Sequence, residues 1–494
     1  MLSRVKVLFI ASEAAPLVKV GGLADVAGSL PLALKRLKSS VNQNKADLDV
    51  RLVIPFHPVI QSGLFAPQQI AEYTIRNLDG EIPVQAYSLE LDGLPVYLIA
   101  GPPIDQETAV YSADLEADGY KYVYFSLAAL ELARNLGWKF NILHANDWHS
   151  AAAVYALALN RPTDPFLYQT TSLLTIHNLP YLGSMTPQAL KYYGLPPATS
   201  SILPAWAQYM ALPLGLLTAD SIVAVSPEYA KEILSEEFGS GLDSFLKTRP
   251  EVISGILNGL DTDKWNPSID VGLAMNFSSS NLTARFANKS FLQQQLGLEI
   301  NPRLPIMAMV TRMDPQKGVD LAVDALRALL QASPDHVPQF QVVFLGTGNT
   351  ALEAEVLLLE HDYHQQVCAR ILFDERLSHH IYAGADILLM PSRYEPCGLS
   401  QMIAMHYGCV PVARATGGLS DSIQDSTQTD MSTGFLFKQA KPDALADGIL
   451  RALHVYLEDP AEWQAIQIRG MQQDFSWDRS AREYLKKYKL LMGR

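Results

Sequence analysis

The sequence predicts an α/β protein built from two doubly wound, Rossmann-like domains facing an interdomain cleft, and three observations predict it. Short β-rich runs bounded by turn residues alternate with helical patterns. The alternation restarts in the second half, and the same five-residue glycine pattern stands at a strand-to-helix turn in each half.

The first set of runs is Val5–Ala11, Asp49–Ile54, Val96–Ala100, Ile142–Ala145, Leu173–His177 and Ser221–Val225. Near-continuous Val, Ile and Leu in such runs marks strands of a parallel sheet covered on both faces. The second set is Ile306–Val310, Gln341–Leu345, Arg370–Phe373, Ile387–Met390 and Val410–Ala413, with the junction near Ile256–Trp265. Length alone allows about three domains. Trp477–Leu491 reads as one amphipathic helix with Tyr484 and Tyr488 on one face, and its periodicity fits packing on either domain.

Composition narrows the function. With 494 residues, 48% of them hydrophobic, the chain fills at least two cores without disulfides or metals. The formal charge of -13 argues against nucleic acid or an acidic membrane surface as the main partner. Three cysteines, Cys368, Cys397 and Cys409, show no metal spacing and suit a reducing cytoplasm. Val5–Ala11 is too short for a signal peptide, no transit peptide is read, and no run is long enough to span a bilayer. Asn276, Asn281 and Asn288 begin Asn-x-Ser/Thr triplets, which we read as ordinary loop and helix residues.

The repeated pattern is Gly21-Gly22-Leu23-Ala24-Asp25 after the first strand and Gly417-Gly418-Leu419-Ser420-Asp421 after the last strand of the second set, for which chance and ancestral duplication are the bland readings. Paired glycines at a strand-to-helix turn let backbone N–H groups approach an anion, and two such turns can grip one diphosphate. Neither is a GxGxxG fingerprint or a P-loop, so a dinucleotide oxidoreductase and an ATPase lose ground. Lys19 precedes the first turn, and Arg312 and Lys317 share the loop after Ile306–Val310. A guanidinium fork and two point charges would neutralise a diphosphate leaving group without metal. Each cation alone reads as a solvated loop residue; the shared ligand joins them. Glu395, in the loop after Ile387–Met390, is placed to accept from sugar hydroxyls, with a solvated loop glutamate as the plain alternative. His144, Asp147, His149 and His177 cluster without HExxH or comparable spacing, so we read them as hydrogen-bonding groups at adjacent strand ends.

These residues resemble the bacterial glycogen synthase and plant starch synthase family. The resemblance rests on Lys19 to Val26, His144 to His149, Thr175 to Leu179, Asn258 to Asp261, Arg312 with Gln316-Lys317-Gly318, Pro391 to Leu399, and Thr416 to Leu419. The motifs stand in order over nearly the whole chain. It implies the glycosyltransferase B fold, with domains at 1–257 and 258–476 and the final helix, 477–494, crossing back onto the first. It also implies transfer of glucose from ADP-glucose to the non-reducing end of an α-1,4-glucan, such as glycogen or maltooligosaccharides. Configuration would be retained, and neither metal nor cofactor is needed.

By position, the resemblance gives Lys19, Arg312 and Lys317 to the diphosphate, with backbone donors around Thr416, Gly417 and Gly418. Gly21, Gly22, Asp25 and Asn258 would line the donor site. Glu395, beside the Cys397, Gly398 and Leu399 backbone, would hold glucose hydroxyls, and His177 would meet the 6-hydroxyl. Asp147 and Trp148 would border donor and acceptor sugars, and Phe373 would lie against adenine where we associate tyrosine with the family. Two departures stand out: Ile403 falls where many relatives of this fold have a second glutamate, and Gly101–Gly119 lacks a Tyr-rich, Pro-Gly-containing loop. UDP-glucose as donor, a glucan phosphorylase with lysine-bound pyridoxal phosphate, and a lapsed glucan-binding scaffold are the alternatives. Nothing in the sequence suggests that cofactor, and the scaffold would be free to lose Lys19, Arg312, Lys317 or Glu395, all of which are present.

Overall fold

The computed structural model describes residues 4–37, 48–60, 62–333, 336–425 and 431–493, so Arg494 of the expected last helix lies outside them. The chain forms two compact units, residues 1–259 with 477–494, and residues 260–476.

In the first unit the described strands are β1 (Val5–Ile10), β2 (Leu48–Pro55), β3 (Gln68–Asn77), β4 (Gly80–Leu91), β5 (Leu94–Ala100), β6 (Ile142–Asn146), β7 (Thr171–Ile176), β8 (Ser221–Ala224) and β9 (Ile253–Gly255). They form one sheet in the order β3-β4-β5-β2-β1-β6-β7-β8-β9. From β5 to β9 every pairing is parallel, and Phe9 sits level with Leu52 on one side and His144 on the other. The expectation of a wholly parallel sheet needs correction at the β3 edge, where β3, β4 and β5 pair antiparallel. Asp92 and Gly93 make the β4–β5 turn with φ of 47° and 79°, and Leu91 pairs with Leu94. A two-residue turn with both central residues left-handed joins antiparallel strands, and an Asp-Gly dipeptide is its sequence signal.

Helix Gly22–Arg36 buries Leu23, Val26, Ala27, Leu30 and Leu34 against β1 and β2. Helix Trp477–Met492 enters the same core with Trp477, Ala481, Tyr484, Tyr488 and Leu491, the one-face spacing of a 3.6-residue period. Tyr488 is fixed there by a 2.6 Å hydrogen bond between its hydroxyl and His144 Nδ1.

The second unit holds β10 (Ile306–Val310), β11 (Gln341–Leu345), β12 (Val367–Arg370), β13 (Ile387–Met390), β14 (Val410–Arg414) and β15 (Phe435–Phe437), ordered β12-β11-β10-β13-β14-β15 and all parallel. Chain order reverses between β10 and β13, which makes that gap the topological switch point. Two corrections follow. The strand expected at Arg370–Phe373 runs instead from Val367 to Arg370, because Val367, Cys368 and Ala369 are buried beside β11 while Leu372 and Phe373 face solvent. The second glycine turn does not follow the last strand, since β15 extends the sheet beyond β14.

Candidate functional site

In the second unit three strand-end loops converge on the switch point. The loop after β10 carries Arg312 and Lys317, the loop after β13 carries Glu395, and the loop after β14 carries Thr416, Gly417 and Gly418. Glycine makes the approach possible. Gly318 has φ of 68°, and a Cβ there would collide with the carbonyl oxygen of Pro391; a Cβ at Gly418 would collide with that of Cys397. Gly418 N–H donates to Glu395 O at 3.0 Å, and Arg393 N–H donates to Gln316 O at 2.7 Å, so adjacent loops are tied by backbone. Arg393 adds a fork of 2.8 and 2.6 Å to the Asp320 carboxylate. Gly398, with φ of 72°, turns the chain before helix Ser400–His406, and Gln401 Nε2 donates to the carbonyls of Cys397 at 2.9 Å and Gly398 at 3.1 Å. Leu399 is the residue capping that helix.

This scaffold brings Lys317 Nζ to 2.6 Å from Glu395 Oε2, which also accepts from Ser392 Oγ at 3.0 Å. The Glu395 side chain is buried and that of Lys317 is 19% exposed, so the ammonium keeps one open side. Arg312 lies further out, 66% exposed, with Nη2 3.3 Å from Asp314 Oδ2. Asp314 Oδ1 also caps the turn by accepting Lys317 N–H at 3.1 Å. Phe373 lies just beyond β12 and is 82% exposed, an open ring face at the end of a sheet strand.

The first unit has its own switch point, between β1 and β6. Lys19 Nζ lies 2.7 Å from Asp25 Oδ1, so the Asp25 assigned to a ligand is paired with the cation of its own turn. The Gly21 N–H expected to face a ligand anion is already engaged. Glu13, which sequence reading passed over, accepts it at 3.1 Å and Val20 N–H at 2.5 Å. Gly21 is thus needed for closeness to Glu13, whereas a Cβ on Gly22 would meet nothing within 4 Å.

After β6, Asp147 opens helix Asp147–Asn160 in a left-handed conformation, φ 52°, uncommon for a residue with a side chain. Its Oδ1 accepts His177 N–H at 2.7 Å and, more weakly, Asn178 N–H at 3.4 Å, joining the ends of β6 and β7. Burial pushes the carboxyl up to about 7, opposed by those two N–H groups and reinforced by the charge of Glu13. Asn146 Nδ2 donates to Ile10 O, which turns its Oδ1 toward His177 Nε2 at 2.9 Å. A carbonyl oxygen only accepts, so Nε2 carries the proton and Nδ1 is left to accept from a ligand hydroxyl. Burial brings His177 down to about 3 and holds it neutral.

Trp148 is buried, with its ring against Gly183 and edge-on to Tyr122 at 5.2 Å. The Oδ1 atoms of Asn258 and Asn178 are buried without a hydrogen-bond partner among the described residues. An unpaired buried amide oxygen is costly unless a ligand donor meets it. His144 is structural, spending one ring nitrogen on Tyr488 and the other on Thr175 Oγ1 at 2.8 Å. Among the described residues no group of three His, Cys, Asp or Glu is placed to hold a metal ion, and no helix is long and apolar enough to cross a membrane.

A family model described as starch synthase catalytic domain matches residues 6–248, and one described as glycosyl transferases group 1 matches residues 293–466. The glycogen synthase of Thermotoga maritima is 38% identical over 99% of both chains. That of Anaeromyxobacter dehalogenans is 38% identical over 98% of this chain and 99% of its own. Among solved structures, the catalytic domain of starch synthase IV from Arabidopsis thaliana, bound to ADP and acarbose, superposes with a TM-score of 0.86 at 31% identity, covering all of both chains. Sucrose-phosphate synthase from Thermosynechococcus elongatus, at 19% identity and a TM-score of 0.60 over 99% of this chain and all of its own, shares the fold.

Proposed function

The chain belongs to the glycogen and starch synthase family, glycosyltransferases of the B fold, and on that premise we propose that it moves glucose from ADP-glucose to the non-reducing end of an α-1,4-glucan with retention of configuration. The observation that carries the reading is the Lys317–Glu395 pair, 2.6 Å apart at the switch point of the second unit. A cation for a leaving phosphate and a carboxylate for sugar hydroxyls are what the binding of a glycosyl donor calls for together. The relative bound to ADP and acarbose, a nucleotide and a sugar analogue, supports the same assignment.

In this reading Arg312, Lys317 and Lys19 serve one diphosphate, with the backbone at Thr416, Gly417 and Gly418 adding donors. The bond from glucose C1 to the phosphate oxygen breaks as the acceptor 4-hydroxyl attacks from the same face, and the departing phosphate oxygen takes the hydroxyl proton. A double displacement through the protein would need two carboxylates about 5 Å apart. Glu395 and Asp147 belong to different units, and neither is cast as a nucleophile. Glu395 holds sugar hydroxyls, His177 Nδ1 accepts from the 6-hydroxyl, and Asn258 Oδ1 finds its missing donor on the substrate. Asp25 and Gly22 line the donor, Trp148 and Asp147 border the sugars, and Phe373 stacks on adenine. No metal is called upon, because placed cations meet the leaving charge.

The deciding assay is transfer of labelled glucose to glycogen and to short maltooligosaccharides, with ADP-glucose and UDP-glucose in parallel and EDTA present. Transfer from ADP-glucose that EDTA leaves unchanged is the expected result. Faster transfer from UDP-glucose would overturn the donor assignment, and no transfer from either would overturn the reaction.

A further inference from the structure

One charged group of the first unit is unused by the mechanism above. Glu13 is 1% exposed and makes no ion pair among the described residues, yet it stands in the loop that carries Lys19. A carboxylate taken out of water without a counter-cation is costly unless hydrogen bonds replace the lost solvent.

Here three donors replace part of that solvent, while burial still holds the carboxyl above its ordinary range. Val20 N–H donates to Glu13 Oε2 at 2.5 Å, and Gly21 N–H reaches Oε2 at 3.1 Å and Oε1 at 3.2 Å. Tyr111 O–H donates to Oε1 at 3.0 Å, and its oxygen in turn lies 3.0 Å from Ser12 Oγ. The carboxylate thus takes, from inside the protein, the Val20 and Gly21 N–H groups at the head of the Gly-Gly turn. Tyr111 is itself anchored. The neighbouring Val110 carbonyl accepts from Lys121 Nζ at 2.8 Å and Tyr122 O–H at 2.5 Å, while Lys121 forms a buried 2.6 Å pair with Asp118. Asp118 also accepts Ser112 N–H at 3.0 Å, so both neighbours of Tyr111 are held. The Tyr111 ring lies 5.1 Å from that of His149, two residues after Asp147.

We propose that Glu13 is a positioning residue for glucosyl transfer: its buried carboxylate, clamped by Tyr111, fixes the Val20–Gly21 backbone and so aims the Lys19 ammonium. The inference rests on the reading that Lys19 serves the leaving diphosphate. The side chain of Lys19 is 45% exposed and its own partner, Asp25, is 31% exposed, so the pair by itself holds Lys19 weakly. The turn beneath it decides where the ammonium points. Glu13→Gln keeps the shape but removes the charge, and its NH2 group forces the Tyr111 hydroxyl to turn and accept and opposes the Gly21 N–H that reaches Oε1 at 3.2 Å.

The test is a double-mutant cycle on the full chain with Glu13→Gln, Lys19→Ala and the combination, reading kcat, the KM of each substrate and the thermal midpoint. Displacement of a reacting group by about 1 Å costs on the order of 100-fold. The expectation is therefore a roughly 100-fold fall in kcat for Glu13→Gln, with glucan KM unchanged and little further loss when it is added to Lys19→Ala. Full multiplication of the two losses, or unchanged kcat in Glu13→Gln while Lys19→Ala is impaired, overturns the role of Glu13. Unchanged kcat in Lys19→Ala overturns instead the reading beneath it. Should Glu13→Gln fail to fold, Tyr111→Phe removes one hydroxyl and keeps the ring. It must then lower kcat several-fold in the wild-type background and leave it unchanged on Lys19→Ala, and any other result overturns the proposal.

Discussion

Replacing Asp147 by Asn tests the buried end of β6 through stability and rate together. Burial raises the carboxyl from its ordinary 3.8 to about 7. A carboxyl whose pKa is higher in the folded state binds its proton more tightly there. Stability is therefore greatest below the unfolded value and is lost as pH rises from about 4 to about 7. At about 1.4 kcal/mol for each tenfold change in proton affinity, the whole loss is about 4 kcal/mol, of which about 3 kcal/mol falls between pH 5 and pH 8. Asparagine keeps an oxygen for the His177 and Asn178 N–H groups and carries no charge, so the variant lacks this slope. For a unit of this size 1 kcal/mol moves Tm by about 2–4 °C, so the Tm of Asp147→Asn relative to wild type should climb by roughly 6 °C or more from pH 5 to pH 8. Scanning calorimetry of both proteins across that range measures it, and subtraction removes histidines common to both. The acidic limb of kcat/KM, near pH 7 in the wild type if the carboxylate must accept a sugar hydroxyl, should vanish in the variant. Parallel Tm profiles at all pH values would refute the burial argument.

Three further outcomes are expected. Lys317→Ala should lower kcat by about 100- to 1000-fold with little change in glucan KM, as loss of one preorganised charge does, measured by steady-state transfer kinetics; unchanged turnover removes Lys317 from the mechanism. Gly22→Ala should leave the thermal midpoint intact, because its Cβ meets nothing, whereas Gly418→Ala should lower it sharply by driving into the Cys397 carbonyl; equal midpoints for the two would contradict the loop packing. Phe373→Ala should weaken ADP binding by about 2- to 10-fold and Phe373→Tyr should preserve it, since stacking accounts for about 0.5–1.5 kcal/mol, read by calorimetric titration with ADP.

Much of the fold was legible because it depends on local pattern. Apolar runs of four to eight residues located the central strands, since a parallel strand buried on both faces must be apolar throughout. The antiparallel edge was not read from the sequence: an Asp-Gly signal stands at 92–93, but β4 before it and the adjoining β3 are mostly exposed or half-buried residues and yield no continuous apolar run. Leu372 and Phe373 drew the predicted β12 too far along the chain, because an exposed aromatic reads as core in a sequence.

By itself the sequence determined the chemistry available at each strand end: glycine pairs at two turns, cations at positions 19, 312 and 317, a carboxylate at 395, and a family resemblance over nearly the whole length. Tertiary structure alone decided which groups meet. Glu395 finds Lys317 78 residues away, Tyr488 finds His144 at a separation of 344, and Glu13 rather than a ligand takes the Gly21 N–H. The reason is range: backbone preference is set by neighbouring residues, whereas the partner of a buried charge is set by which strands lie side by side, and strand order is fixed only when the sheet closes.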